Sequence, residues 1–129
     1  MMTVDTSILI RYLTNDDQVK VARFDQFITE NIPFTISDVV FSEVYWVITK
    51  FYKIPRNEVI AMIESILAFP SLRCNYKYIY ATLELLKKYK HVSFVDAYTA
   101  AHATLSGNNI VLSYDIGFSK IEGITRKEP

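Results

Sequence analysis

Two acidic residues follow predicted strands, where an α/β protein presents its functional side chains. Asp5 comes directly after the short extended run MTV, and Asp115 comes three residues after the apolar run Ile110–Leu112. Asp96 lies in the first turn of a helix that Ser93 opens. Ligands bind at the carboxyl ends of parallel strands in such proteins, so we expect these acids at one edge of the sheet.

Glu43 is the fourth candidate, and it lies on the edge of an apolar stripe between Val40 and Val47. We expect its carboxylate to be partly buried, where an unpaired charge is costly. Two like charges ~4 Å apart repel by roughly 4 kcal/mol at an effective dielectric of ~20. Carboxylates that meet therefore need protons or cations, and an all-oxygen set suits Mg²⁺ or Mn²⁺ better than zinc. The four acids together predict a divalent-metal site.

Each acid also has a structural explanation. Asp5 and Asp115 fit helix caps, and Ser93 with Asp96 fits a capping box. Glu43 fits an ion pair with Lys50 or an arginine. The nearby hydroxyls of Thr6, Ser7 and Ser113 suit bonds to a phosphate or a metal-bound water, and they suit caps equally well.

Alternating short strands and longer helices predict an α/β fold, a three-layer α/β/α sandwich with a mostly parallel five-stranded sheet. The absence of repeats and linkers predicts one domain over residues 1–129. Apolar spacing predicts helices at about 8–13, 18–29, 38–52, 55–69, 76–89 and 93–106, with a strand alternative at Tyr76–Tyr80. Strands are expected at about 2–4, 34–36, 71–74, 110–112 and 121–125.

Composition narrows the functional classes. The net charge is zero, so no global basic field indicates nucleic-acid binding. No apolar run is long enough to span a bilayer, and the N-terminal residues lack the pattern of a signal peptide. The single cysteine, Cys74, cannot form a disulfide within the chain. These features predict a cytoplasmic protein and make Cys74 a structural residue rather than a catalytic thiol.

Basic residues are concentrated locally. Lys87, Lys88 and Lys90 form the densest cluster, and Arg11 lies six residues after Asp5. They are candidates for contacts to a phosphate backbone, and ordinary surface roles fit them as well. No nucleophile elbow is present, and we expect structural roles for His91 and His102.

The order VDTS, SEV, FVDA and SYDIGF resembles the PIN domain family, specifically VapC-type toxins of toxin–antitoxin pairs. The resemblance implies a metal-dependent ribonuclease that forms a homodimer and binds an antitoxin protein. By position, the family's acids correspond to Asp5, Glu43, Asp96 and Asp115, and its hydroxyl corresponds to Ser113. SYDIGF departs from the pattern with tyrosine before its single acid, which leaves a second metal in question.

The resemblance leads to a mechanistic hypothesis in which the four acids hold Mg²⁺ or Mn²⁺ and water attacks an RNA phosphodiester. The alternative is a protein-binding module with an inactive acidic site. It is suggested by apolar residues beyond the main stripe in the region 38–69: Phe41, Tyr45, Trp46, Ile48 and Tyr52. Core packing and an interface explain these residues equally well.

Overall fold

The structure, a computed structural model, describes residues 1–129. It contains six α-helices, five short strands and one 3-10 helix. The helices are α1 (Thr6–Thr14), α2 (Gln18–Thr29), α3 (Asp38–Lys50), α4 (Arg56–Leu67), α5 (Tyr76–Lys88) and α6 (Phe94–Leu105). The strands are β1 (Met2–Thr3), β2 (Phe34–Thr35), β3 (Leu72–Arg73), β4 (Ile110–Leu112) and β5 (Thr125–Lys127), and the 3-10 helix is Ile116–Lys120.

The chain divides into two compact units, Met1–Asn75 and Tyr76–Pro129. The first unit contains a three-stranded parallel sheet in the order β1-β2-β3, with Met2 opposite Phe34 and Phe34 opposite Leu72. In this unit α1 packs against α2 and α3, and α3 packs against α4. Its fully buried side chains include Leu9, Phe34, Phe41, Ile48, Ile60, Ile63 and Leu72.

The second unit contains the parallel pair β4-β5, with Ile110 opposite Thr125. Here α5 packs along α6, and α6 packs against β4. The small side chains Ala97, Ala100 and Ala101 are fully buried on α6, and small residues on a helix let a neighbouring element approach closely. The larger core residues of this unit include Ile79, Leu83, Leu86, Val111 and Phe118.

The predicted α/β class is confirmed, with five strands that all pair in parallel. They form sheets of three and two strands instead of a single five-stranded sheet. Strands of two or three residues form few hydrogen bonds. An apolar run predicts a strand but does not indicate which strand it pairs with, so the division into two sheets could not be predicted. A single domain over residues 1–129 remains a prediction.

Most helix boundaries agree with the expected ones to within two residues. The strand alternative at Tyr76–Tyr80 is wrong, because these residues form the first turns of α5. The last strand begins at Thr125 instead of Ile121. Gly123 adopts a left-handed conformation, with φ of 85°, which interrupts extended backbone, and strand pairing starts only after it. None of the helices has the length and apolar character that crossing a bilayer would require.

Candidate active site

Asp5 lies at the carboxyl edge of the three-stranded sheet. β1 pairs with β2, and the Val4 N–H extends this pairing by donating to the Thr35 carbonyl over 2.8 Å. The chain turns into α1 at Thr6, immediately after Asp5. Because β1 and β2 are parallel neighbours, the helices that follow them, α1 and α3, begin at the same edge and pack together.

The Asp5 side chain is exposed and does not cap the helix that it precedes. Asp5 occupies the N-cap position of α1 with extended backbone, yet its carboxylate makes no capping hydrogen bond. The Ser7 hydroxyl donates to Oδ2 of Asp5 over 3.0 Å. This hydrogen bond, followed by the nearby Thr6 and Ser7 backbone amides, lowers the pKa of the Asp5 carboxyl. The capping explanation is therefore wrong for Asp5, and the carboxylate remains charged at neutral pH.

Glu43 is exposed, and the expectation of partial burial is wrong. Its neighbours on the stripe, Val40 and Val47, are themselves only half-buried, so the edge of the stripe already faces solvent. Neither Lys50 nor an arginine forms an ion pair with Glu43. Glu43 and Asp5 instead line the same open cleft, which has a volume of about 310 Å³.

The cleft has an acidic lining with one cation. Asp16 contributes a third carboxylate, and Arg11 lies beside it with Nη1 3.9 Å from Oδ1 of Asp16. The Tyr52 hydroxyl donates to Oδ2 of Asp16 over 3.3 Å. Arg11 was predicted to lie near Asp5, whereas Asp16 and Tyr52 were not predicted as residues of the site. The run Asn15-Asp16-Asp17 is typical of a turn, so its acids are explained without a site. Asn15 does end α1 in a left-handed conformation.

Asp96 and Asp115 lie together in the second unit. A helix that leads into a strand through a tight turn packs antiparallel to it, so the start of α6 lies beside the end of β4. Asp96 is half-buried in the first turn of α6, and the Ser93 hydroxyl accepts its backbone N–H over 3.1 Å. Asp96 and Asp115 line a small cavity of about 40 Å³.

Asp115 is held in place from both sides along the chain. Its Oδ1 accepts the Gly117 N–H over 2.8 Å, and its own backbone N–H donates to the Ser113 hydroxyl over 2.9 Å. The capping explanation is thus confirmed for Asp115, which caps the 3-10 helix. Ser113 uses its hydroxyl to fix the turn that carries this acid.

Two further residues, which were not predicted as part of the site, hold this turn. His91 Nε2 lies 3.1 Å from the Gly117 carbonyl and donates to it in the tautomer protonated at that nitrogen. Arg126 of β5 donates from Nη1 to the Ser113 carbonyl over 2.9 Å and from Nε to the Ser119 hydroxyl over 3.1 Å. The three contacts join residues that are 26, 13 and 7 positions apart, so no helix or strand spacing indicates them.

The remaining candidates have local roles. Thr6 is buried at the start of α1. Lys87 pairs with Glu84 over 3.1 Å, and Lys88 pairs with Glu122 over 3.1 Å. The Glu122 hydrogen bond raises the pKa of Lys88. Lys90 is exposed. The cluster is therefore a solvated surface whose charges are partly compensated.

Cys74 and His102 remain outside the acidic groups. Burial, followed by the charge of Asp38, raises the pKa of the Cys74 thiol to about 11. A thiol with this pKa is protonated at neutral pH, and a protonated thiol is a poor nucleophile. The His102 ring lies on Tyr78, with 5.8 Å between the ring centroids. Both observations agree with structural roles.

The structure thus brings the predicted acids together as two pairs. Neither unit gathers three or more His, Cys, Asp or Glu side chains into a group that could hold a metal ion. A pair of carboxylates nevertheless fits Mg²⁺, which is usually held by one or two protein carboxylates, with waters and substrate phosphates completing its coordination. The exposed Asp5 and Glu43 on an open cleft have the donor chemistry and the access that such binding needs.

These features define a parallel α/β protein with acidic residues where its strands end. The family model "PIN domain" matches residues 2–124, and the chain therefore belongs to the PIN domain family. The match spans all four predicted acids.

Solved structures give two further comparisons. VapBC2 from Rickettsia felis, bound to a DNA fragment from its promoter, is 16% identical, with 98% of this chain and 97% of that one covered and a TM-score of 0.42. The toxin VapC20 of Mycobacterium tuberculosis, described as cleaving the sarcin–ricin loop, is 18% identical, with 93% of this chain and 94% of that one covered and a TM-score of 0.44. No curated protein matches the sequence significantly.

Proposed function

We propose that this protein is a metal-dependent endoribonuclease of the VapC type, the toxin of a toxin–antitoxin pair. The observation that carries the proposal is the PIN domain match over residues 2–124, which contains VDTS, SEV, FVDA and SYDIGF in that order. The shared cleft of Asp5 and Glu43 supports it. An RNA substrate in turn agrees with a cytoplasmic location.

Asp5, Glu43, Asp96 and Asp115 are the proposed metal-binding residues for Mg²⁺ or Mn²⁺. When bound, such an ion lowers the pKa of a coordinated water, neutralises phosphate charge and stabilises the leaving oxygen. The Ser7 hydroxyl lowers the pKa of the Asp5 carboxyl and orients its carboxylate. The exposed Glu43, which has no ion-pair partner, is suited to orient the attacking water.

The substrate phosphate needs a cation on the protein side of the cleft. Arg11 is the proposed contact, since its 3.9 Å separation from Asp16 leaves the guanidinium able to turn toward a phosphate. Ser113 and Arg126 hold the turn that carries Asp115, and they act as positioning residues.

The substitution Asp5→Asn tests the assignment. Purified protein with Mn²⁺ should cleave single-stranded RNA, and Asp5→Asn should lose at least about 100-fold in rate, because it removes one charged ligand with little change in volume. Glu58→Gln is the matched control, since Glu58 is exposed on α4 and lies outside both acidic groups. Equal cleavage by Asp5→Asn and the wild-type protein would remove Asp5 from the site.

A second function, protein binding, is favoured by an exposed apolar surface at the end of α3. Trp46 is 52% exposed and Phe51 is 68% exposed, and their rings pack edge-to-face with centroids 5.2 Å apart. By contrast, Phe41, Tyr45 and Ile48 are buried, so core packing explains those three. We propose that the exposed pair contributes to a homodimer or to antitoxin binding, and Trp46→Ser should then lower the apparent mass in sedimentation or abolish antitoxin capture.

A further inference from the structure

A larger cavity adjoins the acidic cleft within the first unit. Its volume is about 560 Å³, within the range of about 300–1,000 Å³ that is common for ligand sites. It lies between β1, α1 and α2. Asp5, Ser7 and Arg11 line both this cavity and the acidic cleft. A ligand that extends from one space therefore enters the other.

The charges around this cavity differ from those of the whole chain. Arg11, Lys20 and Arg23 line it, against a single acid, Asp5, although the chain has a net charge of zero. The ion pairs of Arg11 with Asp16 and of Lys20 with Asp17 span 3.9 and 4.0 Å. Exposed pairs of this kind contribute little and exchange readily for another anion. Arg23 is exposed and has no ion-pair partner.

The remaining wall of the cavity is apolar and partly aromatic. Phe27 is half-buried and stacks on Phe24, with centroids 6.2 Å apart and an interplanar angle of 18°. Ile8 and Met2 are 43% and 51% exposed. Aromatic and aliphatic surfaces flanked by cations are typical of sites for single-stranded nucleic acid, where bases pack on side chains and phosphates meet Lys or Arg.

We propose that this cavity binds the nucleotide next to the scissile phosphate of a single-stranded RNA. The base packs against Ile8 and Phe27, and the flanking phosphates contact Arg11, Lys20 and Arg23. The inference deepens the proposed ribonuclease function and rests on it. It assigns Arg23 and Lys20 as RNA contacts, whereas the Lys87–Lys90 cluster is partly occupied by Glu84 and Glu122.

The charge contacts are tested by binding of a short fluorescein-labelled single-stranded RNA, measured by anisotropy in EDTA so that no cleavage occurs. Arg23→Ala should weaken binding about five- to tenfold at low salt and reduce the slope of log K against log[salt] by about one. Lys50→Ala is the matched control, because it removes one exposed positive charge from α3 outside the cavity. Its affinity should stay within about twofold of the wild-type protein.

The base contact is tested with the same RNA carrying one abasic position. The wild-type protein should bind the abasic strand about tenfold more weakly. Ile8→Ser should reduce this difference to about twofold, since the base then loses its apolar wall. Circular dichroism confirms folding, and Met2→Ser replaces Ile8→Ser if that variant does not fold.

The outcomes separate this inference from the proposed function. Cleavage of RNA with Mn²⁺ together with unchanged RNA binding by Arg23→Ala and Ile8→Ser would overturn the subsite and leave the nuclease standing. RNA binding that depends on Arg23 and Ile8 in a protein that never cleaves RNA would keep RNA binding in the cavity but overturn the nuclease, and with it the position of the cavity next to a scissile phosphate. Unchanged RNA binding with loss of a co-expressed protein partner would assign the cavity to that partner and overturn the proposal.

Discussion

At the scale of single residues, Asp5 is distinguished by the hydrogen bond that it accepts from Ser7. This bond stabilises the charged carboxylate, so the pKa of Asp5 in the folded protein lies below the value of 3.8 for the free side chain. A depressed carboxyl pKa adds stability that is fully present above the unfolded pKa and is lost as the pH falls through the folded pKa. The effect on folding therefore lies below about pH 4, while the effect on the site is a carboxylate that stays available to a cation.

Ser7→Ala should raise the pKa of Asp5 toward 3.8, because the largest cause of its depression is removed. The measurement is a carbon-13 NMR titration of the Asp5 carboxyl in protein without metal. Ser65→Ala is the control, since Ser65 is an exposed helical serine of the same unit that donates to a backbone carbonyl. An Asp5 midpoint that is the same in both variants would assign the lowered pKa to the backbone amides alone.

At the scale of elements, Asp5 and Asp17 hold equivalent positions but make different hydrogen bonds. Both are N-cap residues with extended backbone, but only Asp17 accepts a capping hydrogen bond, from the Lys20 N–H over 3.1 Å. The α1 helix thus begins without the side-chain cap that its N-cap residue type would supply. An aspartate that makes no capping hydrogen bond at the end of a strand is typical of a functional site, where the carboxylate binds a ligand.

Asp17→Ala should lower the free energy of unfolding by about 1 kcal/mol, the usual cost of a lost N-cap. Asp5→Ala should leave the free energy of unfolding close to the wild-type value, because no capping hydrogen bond is lost, yet it should abolish RNA cleavage. Urea unfolding curves measure the first quantity and a cleavage assay measures the second. If Asp5→Ala destabilised the protein as much as Asp17→Ala, Asp5 would have a structural role after all.

The same scale shows how far local sequence patterns predict structure. Helical spacing and caps placed α2 at its observed bounds, and the apolar run placed β4 at Ile110–Leu112. The prediction was wrong at the start of β5. Ile121 is buried, but it ends the 3-10 helix, and strand pairing begins only at Thr125. An apolar residue indicates burial both at the end of a 3-10 helix and in a strand. Only the backbone conformation at Gly123 distinguishes these two structures here.

The candidate site was predictable where it depends on chain order and not where it depends on packing. Asp5 follows a strand, and its position at the sheet edge came from that fact alone. The prediction that Glu43 is partly buried was wrong, because the exposure of Glu43 depends on how deeply α3 packs. Asp16 and Arg126 were missed because each contributes through a contact between elements that no spacing rule contains.

At the scale of the whole molecule, the net charge is zero, but neighbouring surfaces carry local charges of opposite sign. The acidic cleft carries Asp5, Asp16 and Glu43 against Arg11, whereas the adjoining cavity carries three cations against Asp5. A cation that enters the cleft relieves repulsion between carboxylates, and a phosphate that enters the cavity finds complementary charge. Metal binding and RNA binding should therefore support each other without any global basic surface.

Thermal unfolding with and without Mn²⁺ tests this arrangement in the intact protein. A ligand at a hundred times its Kd adds ~2.7 kcal/mol to the free energy of unfolding, which corresponds to a rise in Tm on the order of 10 °C for a chain of this size. Asp5→Asn should show a much smaller rise, since one of the cleft's three carboxylates has lost its charge, and Glu58→Gln should behave like the wild-type protein. Scanning calorimetry at several Mn²⁺ concentrations gives the size of the rise and its saturation. If Tm did not change at any Mn²⁺ concentration, the acids would not bind the cation. Protein binding through the exposed Trp46–Phe51 surface would then be the better explanation of the protein's function.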